Sequence, residues 1–182
     1  MAWSTFKSTM LPAMQAYTYG RSLEQWCATF ASAYDISIKT GKTTITQIPC
    51  LNGNKSAMES QLVSLLSQTQ RSKTTSLLQI IGPAVIAYWT GVTLVNIPPA
   101  IPCPGAIVNI SVVAAPVINP GVWSPIIVPP NNNPQIFLNA FCLAATIHLT
   151  TVAGLHNCIC NYPGVPIIVA PGVLPWTGYI AG

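Results

Sequence analysis

The sequence predicts a mixed fold, mainly α-helical with irregular extended segments, and three observations carry that expectation. Apolar residues recur at steps of three and four through the first 73 positions, the signature of amphipathic helices. Every Asp, Glu, Lys and Arg also lies in that part, and the 109 residues from Thr74 to Gly182 contain none. Ten of the seventeen prolines then crowd into residues 96–134, which keeps that stretch extended rather than helical. Residues 1–73 are thus expected to form a helical, charge-bearing part. Residues 74–182 form a charge-free, proline-rich part with a helix near 135–153.

Trp3, Phe6, Met10, Met14 and Tyr17 trace one face of a first helix, and Gly20 offers it a stop. Ser22 with Gln25 has capping-box spacing at the head of a second helix. Leu23, Trp26, Cys27, Phe30, Ala31 and Tyr34 supply its stripe to about Ile36, with Gly41 beyond the end. After a loop around Pro49 to Asn54, Ser56 with Glu59 repeats the capping signature before Met58, Leu62, Leu65 and Leu66, so a third short helix is expected to about Gln70. Ser76 to Val95 is apolar enough for a buried helix, but Gly82-Pro83 inside it predicts two pieces or a bend.

In the proline-rich block, Ile107 to Val113 is the best strand candidate, and Pro104-Gly105 and Pro120-Gly121 read as turns. Prolines without N–H groups confine such segments to sheet edges or keep them out of sheets. Asn131 to Asn133 are good caps and Pro134 suits a first helical position, so a helix is expected from Gln135 to Val152, ending near Gly154. Its buried stripe would be Ile136, Phe137, Ala140, Phe141, Ala144, Ile147 and Thr151. The tail from Asn161 is extended again. It echoes an earlier string: Asn119-Pro-Gly-Val followed by Pro125-Ile-Ile-Val is answered by Tyr162-Pro-Gly-Val followed by Pro166-Ile-Ile-Val, two similar turn-and-strand units flanking the helix.

The net charge of +4 reflects a shortage of acids, only Glu24, Asp35 and Glu59, more than a basic patch. The close base pairs Lys39 with Lys42 and Arg71 with Lys73 are too few for a nucleic-acid footprint, and no nucleic-acid partner is expected. The first twenty residues lack a charged segment followed by an apolar run, so no cleaved signal peptide is expected. The six cysteines are then read as reduced thiols in a chain made in the cytoplasm.

Chemistry-bearing clusters are sparse. His156, Cys158 and Cys160 carry preferred zinc donors, but paired zinc cysteines usually have two to four residues between them where Cys158 and Cys160 have one, and Cys142 or His148 would have to complete the set. Bound metal is therefore not expected, nor any cofactor. A catalytic triad in the second part would have to borrow Glu24, Asp35 or Glu59 from helices expected at the surface. No phosphate-binding glycine loop or paired acid site appears, and His148 reads as a hydrogen-bonded helix histidine. The expectation is a nonenzymatic protein.

A soluble domain carries about 25% charged residues, whereas this one carries 5%. Something other than water must cover much of residues 74–182. One possibility is a small integral membrane protein, with spans near 76–95 and 135–152. Broken by Gly82-Pro83 and by long proline-rich stretches whose backbone polar groups cannot face lipid, that reading is the weaker. Burial against neighbouring subunits explains more, with extended segments adding as strands and apolar area supplying affinity. Trp89, Trp123 and Trp176 are the expected apolar anchors. Pro120, Gly121, Pro163 and Gly164 set the direction of the arms, and Val128 and Ile168 lie along them.

Several strings sharpen this reading: Gly82-Pro83-Ala-Val-Ile-Ala-Tyr88-Trp89-Thr-Gly91, Pro98-Pro99, Pro104-Gly105, Asn119-Pro-Gly-Val-Trp123 and the closing Trp176-Thr-Gly-Tyr179. With Trp3 to Phe6 and Tyr34-Asp35, they resemble small virion structural proteins of large contractile-tailed phages of the cyanobacterial and marine type. The resemblance implies a tail, baseplate or capsid component without catalytic residues. Its partners would be copies of itself or other virion proteins, assembled in the host cytoplasm.

Overall fold

The computed structural model describes residues 3–17, 22–44, 50–69, 77–90, 92–94, 107–114, 133–160 and 170–182. The chain is mainly helical. Among the described residues five helices run in chain order: α1 Ser4–Tyr17, α2 Leu23–Lys39, α3 Lys55–Thr69, α4 Leu77–Trp89 and α5 Pro134–Leu149. Strands β1 Lys42–Thr43, β2 Cys50–Asn52, β3 Thr93–Leu94, β4 Ile107–Ala114, β5 Ala153–Cys160, β6 Ala170–Thr177 and β7 Tyr179–Ile180 complete the described elements.

Helix ends follow local chemistry. The Ser22 hydroxyl accepts a hydrogen bond from the Gln25 backbone N–H at 3.3 Å, capping α2 as the sequence predicts. Asn133 does the same for α5, accepting from the Gln135 N–H at 3.0 Å, with Pro134 in the first turn. At α3 the cap is Asn54 instead of Ser56: its side-chain oxygen accepts from the Ala57 N–H at 3.2 Å, and the Met58 N–H reaches the Asn54 carbonyl. Asparagine is at least as good a cap as serine, so the helix starts two residues earlier. Neither Pro12 nor Pro83 ends its helix. Both are exposed, so neither ring displaces a side chain from the packed core. Of the two pieces or a bend expected at Gly82-Pro83, the two-piece form does not occur, since α4 runs through both residues.

The core is aromatic and joins all five helices. Phe141 on α5 stacks on Phe6 of α1 at 4.9 Å and meets Phe30 of α2 edge-on at 5.0 Å. Phe6 and Phe30 are themselves 5.1 Å apart in a T-shaped pair, and all three rings are fully buried. Such pairs add about 0.5–1.5 kcal/mol each beyond area burial. Met10, Met58, Leu62, Ala84 and Val85 extend the core along the bundle.

Trp3 precedes α1 with φ of 67°, a left-handed backbone that costs a bulky residue about 1–2 kcal/mol. Its side chain offsets that cost. The ring packs on Phe6, Tyr34 and Phe141, and its Nε1–H donates to Thr146 Oγ1 at 2.9 Å.

On α5 the buried face comprises Phe137, Leu138, Phe141, Cys142, Ala144, Ala145, His148 and Leu149. Ile136, Ile147 and Thr151, expected on the buried stripe, are exposed instead. In so apolar a helix, several faces qualify by hydrophobicity, and the aromatic contacts choose among them.

Strands β2 to β6 form one antiparallel sheet in the order β2-β3-β4-β5-β6, which is also chain order. The expected strand at 107–113 is β4. Strand β5, unassigned in the sequence reading, is the sheet's longest-paired member, matched along its full length to β6 from Ala153 opposite Thr177 to Cys160 opposite Ala170. Among the described residues β6 is an edge strand, the position that tolerates its Pro171 and Pro175. The chain then leaves this sheet at Gly178, and β7 pairs antiparallel with β1 beside α2.

Candidate functional site

The sequence-predicted residues fall in three places. Trp89 is fully buried in this chain's own core, with its Nε1–H donating to Tyr34 Oη at 2.9 Å, so it is not an exposed anchor. Its apolarity and its helical phase made it equally a core residue. Trp176 lies in β6 opposite Gly154. His156, Cys158 and Cys160 take alternate positions of β5, opposite Leu174, Gly172 and Ala170 of β6. Pro120, Gly121, Trp123, Val128, Pro163, Gly164 and Ile168 lie outside the described residues. No group of three or more metal-binding side chains occurs among the described residues.

Two features emerge that single-residue reasoning missed. The first is the outer face of α5. Ile136, Leu143 and Ile147 are 38%, 57% and 41% exposed, and the rest of that face is Gln135, Asn139, Thr146 and Thr150, without a charge. Positions 136, 143 and 147 are related by steps of seven and four, so they form one stripe along the helix.

The second is a polar and aromatic socket between α2, α4 and β2 that receives β7. Residues one turn apart on α2 supply its floor. Asp35, buried in spite of its charge, accepts from Tyr88 Oη at 2.8 Å and from Lys39 Nζ at 2.9 Å. The sequence reading had placed this carboxylate at the surface; Tyr88, 53 residues away in sequence, is what makes its burial tolerable. Tyr179 of β7 reaches in, donating from Oη to the Ile38 carbonyl at 2.7 Å and accepting from the Cys50 N–H at 2.9 Å. Its ring lies 5.4 Å from that of Trp89, edge-on. Gly53 faces the Tyr88 ring so closely that a Cβ there would overlap Cζ and Oη.

Electrostatics hold this socket neutral around one carboxylate. Burial pushes the Tyr88 hydroxyl well above the ordinary tyrosine range, with Cys50 and Asp35 adding to the effect. Burial also raises Tyr34 and Tyr179, and pushes the Cys50 thiol up to about 11. At neutral pH these tyrosines and Cys50 keep their protons, so they contribute hydrogen bonds and apolar area to the socket. Cys27 and Cys142 are likewise buried and free, raised by burial to about 11 and about 12.

His148 sits on the inner face of α5, 3% exposed, and neither ring nitrogen has a hydrogen-bond partner among the described residues. The expected hydrogen-bonded histidine is therefore an unpartnered one. Burial lowers its pKa from 6.5 to about 4. Comparison of the chain with protein-family models, curated proteins and solved structures finds no match.

Proposed function

We propose that this chain is a nonenzymatic structural subunit of a multisubunit particle, a virion protein of the tail, baseplate or capsid that buries apolar surface against neighbouring subunits. The observation that carries the reading is the outer face of α5. It presents Ile136, Leu143 and Ile147 to the exterior in a part of the chain with no charged residue to keep it solvated. Exposed apolar stripes rimmed by uncharged polar residues mark protein-protein contacts. Strand β6, at the edge of the sheet among the described residues and with no charge along its eight residues, adds a second place for a neighbour to pair. A particle assembled in the host cytoplasm brings partners together at the high local concentration that such a surface requires.

The narrower assignment to a virion rests on the resemblance of the Gly82-to-Gly91, Asn119-to-Trp123 and Trp176-to-Tyr179 strings. The membrane alternative has less support. The described helices within its two proposed spans are 13 and 16 residues long, and no helix among the described residues is long and apolar enough to cross a membrane.

Multi-angle light scattering of the chain expressed without detergent, alone and with co-expressed particle proteins, tests the reading. A defined oligomer or co-complex is expected. A persistent monomer under both conditions overturns it. Recovery only in washed membranes, released by detergent, favours the membrane alternative. Mass spectrometry of purified particles tests the virion assignment separately: absence of the chain from them refutes that part alone.

A further inference from the structure

We propose that Cys158 and Cys160 on β5 form a binding site for a soft monovalent metal ion, copper(I). Independently of any assembly role, the sheet gives this motif a placement that changes what its spacing means. One residue stands between the two cysteines, too few for the paired cysteines of structural zinc sites. On a strand the same spacing puts two residues on one face, since positions i, i+2 and i+4 share it. His156, Cys158 and Cys160 hold such positions in β5. The register against β6 runs without a shift from Ala153 opposite Thr177 to Cys160 opposite Ala170, so the alternation is unbroken.

Strand geometry then sets the separation. Same-face neighbours are two rises of about 3.4 Å, or about 6.8 Å, apart along the strand. A disulfide needs its Cβ atoms about 3.5–4.5 Å apart, so the pair cannot close on itself while β5 stays paired. An ion about 2.3 Å from each of two sulfurs in line sets them about 4.6 Å apart, a span that two cysteines so placed can reach. Strand β5 is paired on both sides, to β4 and to β6, which fixes that separation better than a loop would.

The positions around the motif decide which ion. Zinc takes four donors in a tetrahedron. The residues opposite the motif supply none: Leu174, Gly172 and Ala170 on β6, and Ile110 and Ile107 on β4 opposite His156 and Cys158. His156 lies four positions from Cys160, about 13.6 Å along the strand, too far for both to share one ion. A pair of thiolates suits copper(I), which soft ligands select and which two donors in line satisfy. Gly172 and Ala170, opposite the two cysteines, are the smallest residues a strand can carry, so β6 brings no bulk to those positions.

Copper(I) binds by replacing one proton on each thiol: two S–H bonds break, two Cu–S bonds form, and no oxidation state changes. The other cysteines among the described residues do not compete. Cys27, Cys50 and Cys142 are buried, and burial raises their thiols to about 11, about 11 and about 12, which holds their protons in place.

Anaerobic titration of the reduced full-length chain with copper(I), against a chromogenic copper(I) chelator, tests the site. One retained equivalent is expected, with two sulfur neighbours by copper X-ray absorption. Cys158→Ser and Cys160→Ser should each abolish retention, whereas His156→Ala and Cys103→Ser should preserve it. No retention by the wild type, retention that survives both serine substitutions together, or loss with His156→Ala or Cys103→Ser overturns the proposal. Where the serine variants do not fold by circular dichroism, the wild type serves. Added copper(I) should protect Cys158 and Cys160 from alkylation, read by peptide mass spectrometry, and undiminished alkylation of both refutes the site.

Discussion

His148 makes the stability of this protein depend on pH in a direction and amount that follow from its burial. Its folded pKa of about 4 lies below the ordinary 6.5, so between those values the unfolded chain binds a proton that the folded chain excludes. Stability is therefore full above about pH 6.5 and is lost as the pH falls toward 4. At about 1.4 kcal/mol per pH unit, the difference corresponds to about 3 kcal/mol from this one side chain. Replacing it by leucine removes the titration and two unsatisfied buried nitrogens, with the second effect stabilising by about 1–3 kcal/mol at neutral pH. The assay is urea denaturation of wild type and His148→Leu at fixed protein concentration from pH 7.5 to 4.5. The wild type should lose stability relative to the variant across that range, while shared contributions, such as that of Glu24 with its lowered pKa, cancel in the difference. A variant less stable than wild type at pH 7.5, or parallel pH profiles for the two, would refute the reasoning.

Three further outcomes are expected. Gly53→Ala forces a Cβ into the Tyr88 ring, which cannot swing away while its Oη holds Asp35, and should destabilise by about 2 kcal/mol in thermal or chemical denaturation. Tyr88→Phe leaves the buried Asp35 Oδ1 without that donor and should cost about 1–3 kcal/mol, measured the same way; a neutral result would mean that water replaces the hydroxyl. Leu143→Lys, at a 57% exposed position, should change folding stability by no more than about 0.5 kcal/mol yet prevent assembly in light scattering; retained assembly would place the interface elsewhere.

Local chemistry was legible in the sequence wherever a signal and its consequence lie within one helical turn. The Ser22 and Asn133 caps, Pro134 in the first turn of α5, the Phe6, Met10 and Phe30 stripes and the strand at 107–113 all depend on neighbours a few residues away. The charge-free span of 109 residues was legible too, because composition needs no coordinates. The inner face of α5, the burial of Asp35 and the inward position of Trp89 were not. Each is decided by partners 53 or more residues distant, namely Tyr88 for Asp35, Tyr34 for Trp89, and Phe6 and Phe30 for Phe141. The socket for Tyr179 is the extreme case, since its hydrogen-bond partners lie 129 and 141 residues away. Hydrophobic periodicity says that a residue is buried but not what buries it, and only the tertiary structure, by closing those long loops, chooses the partner.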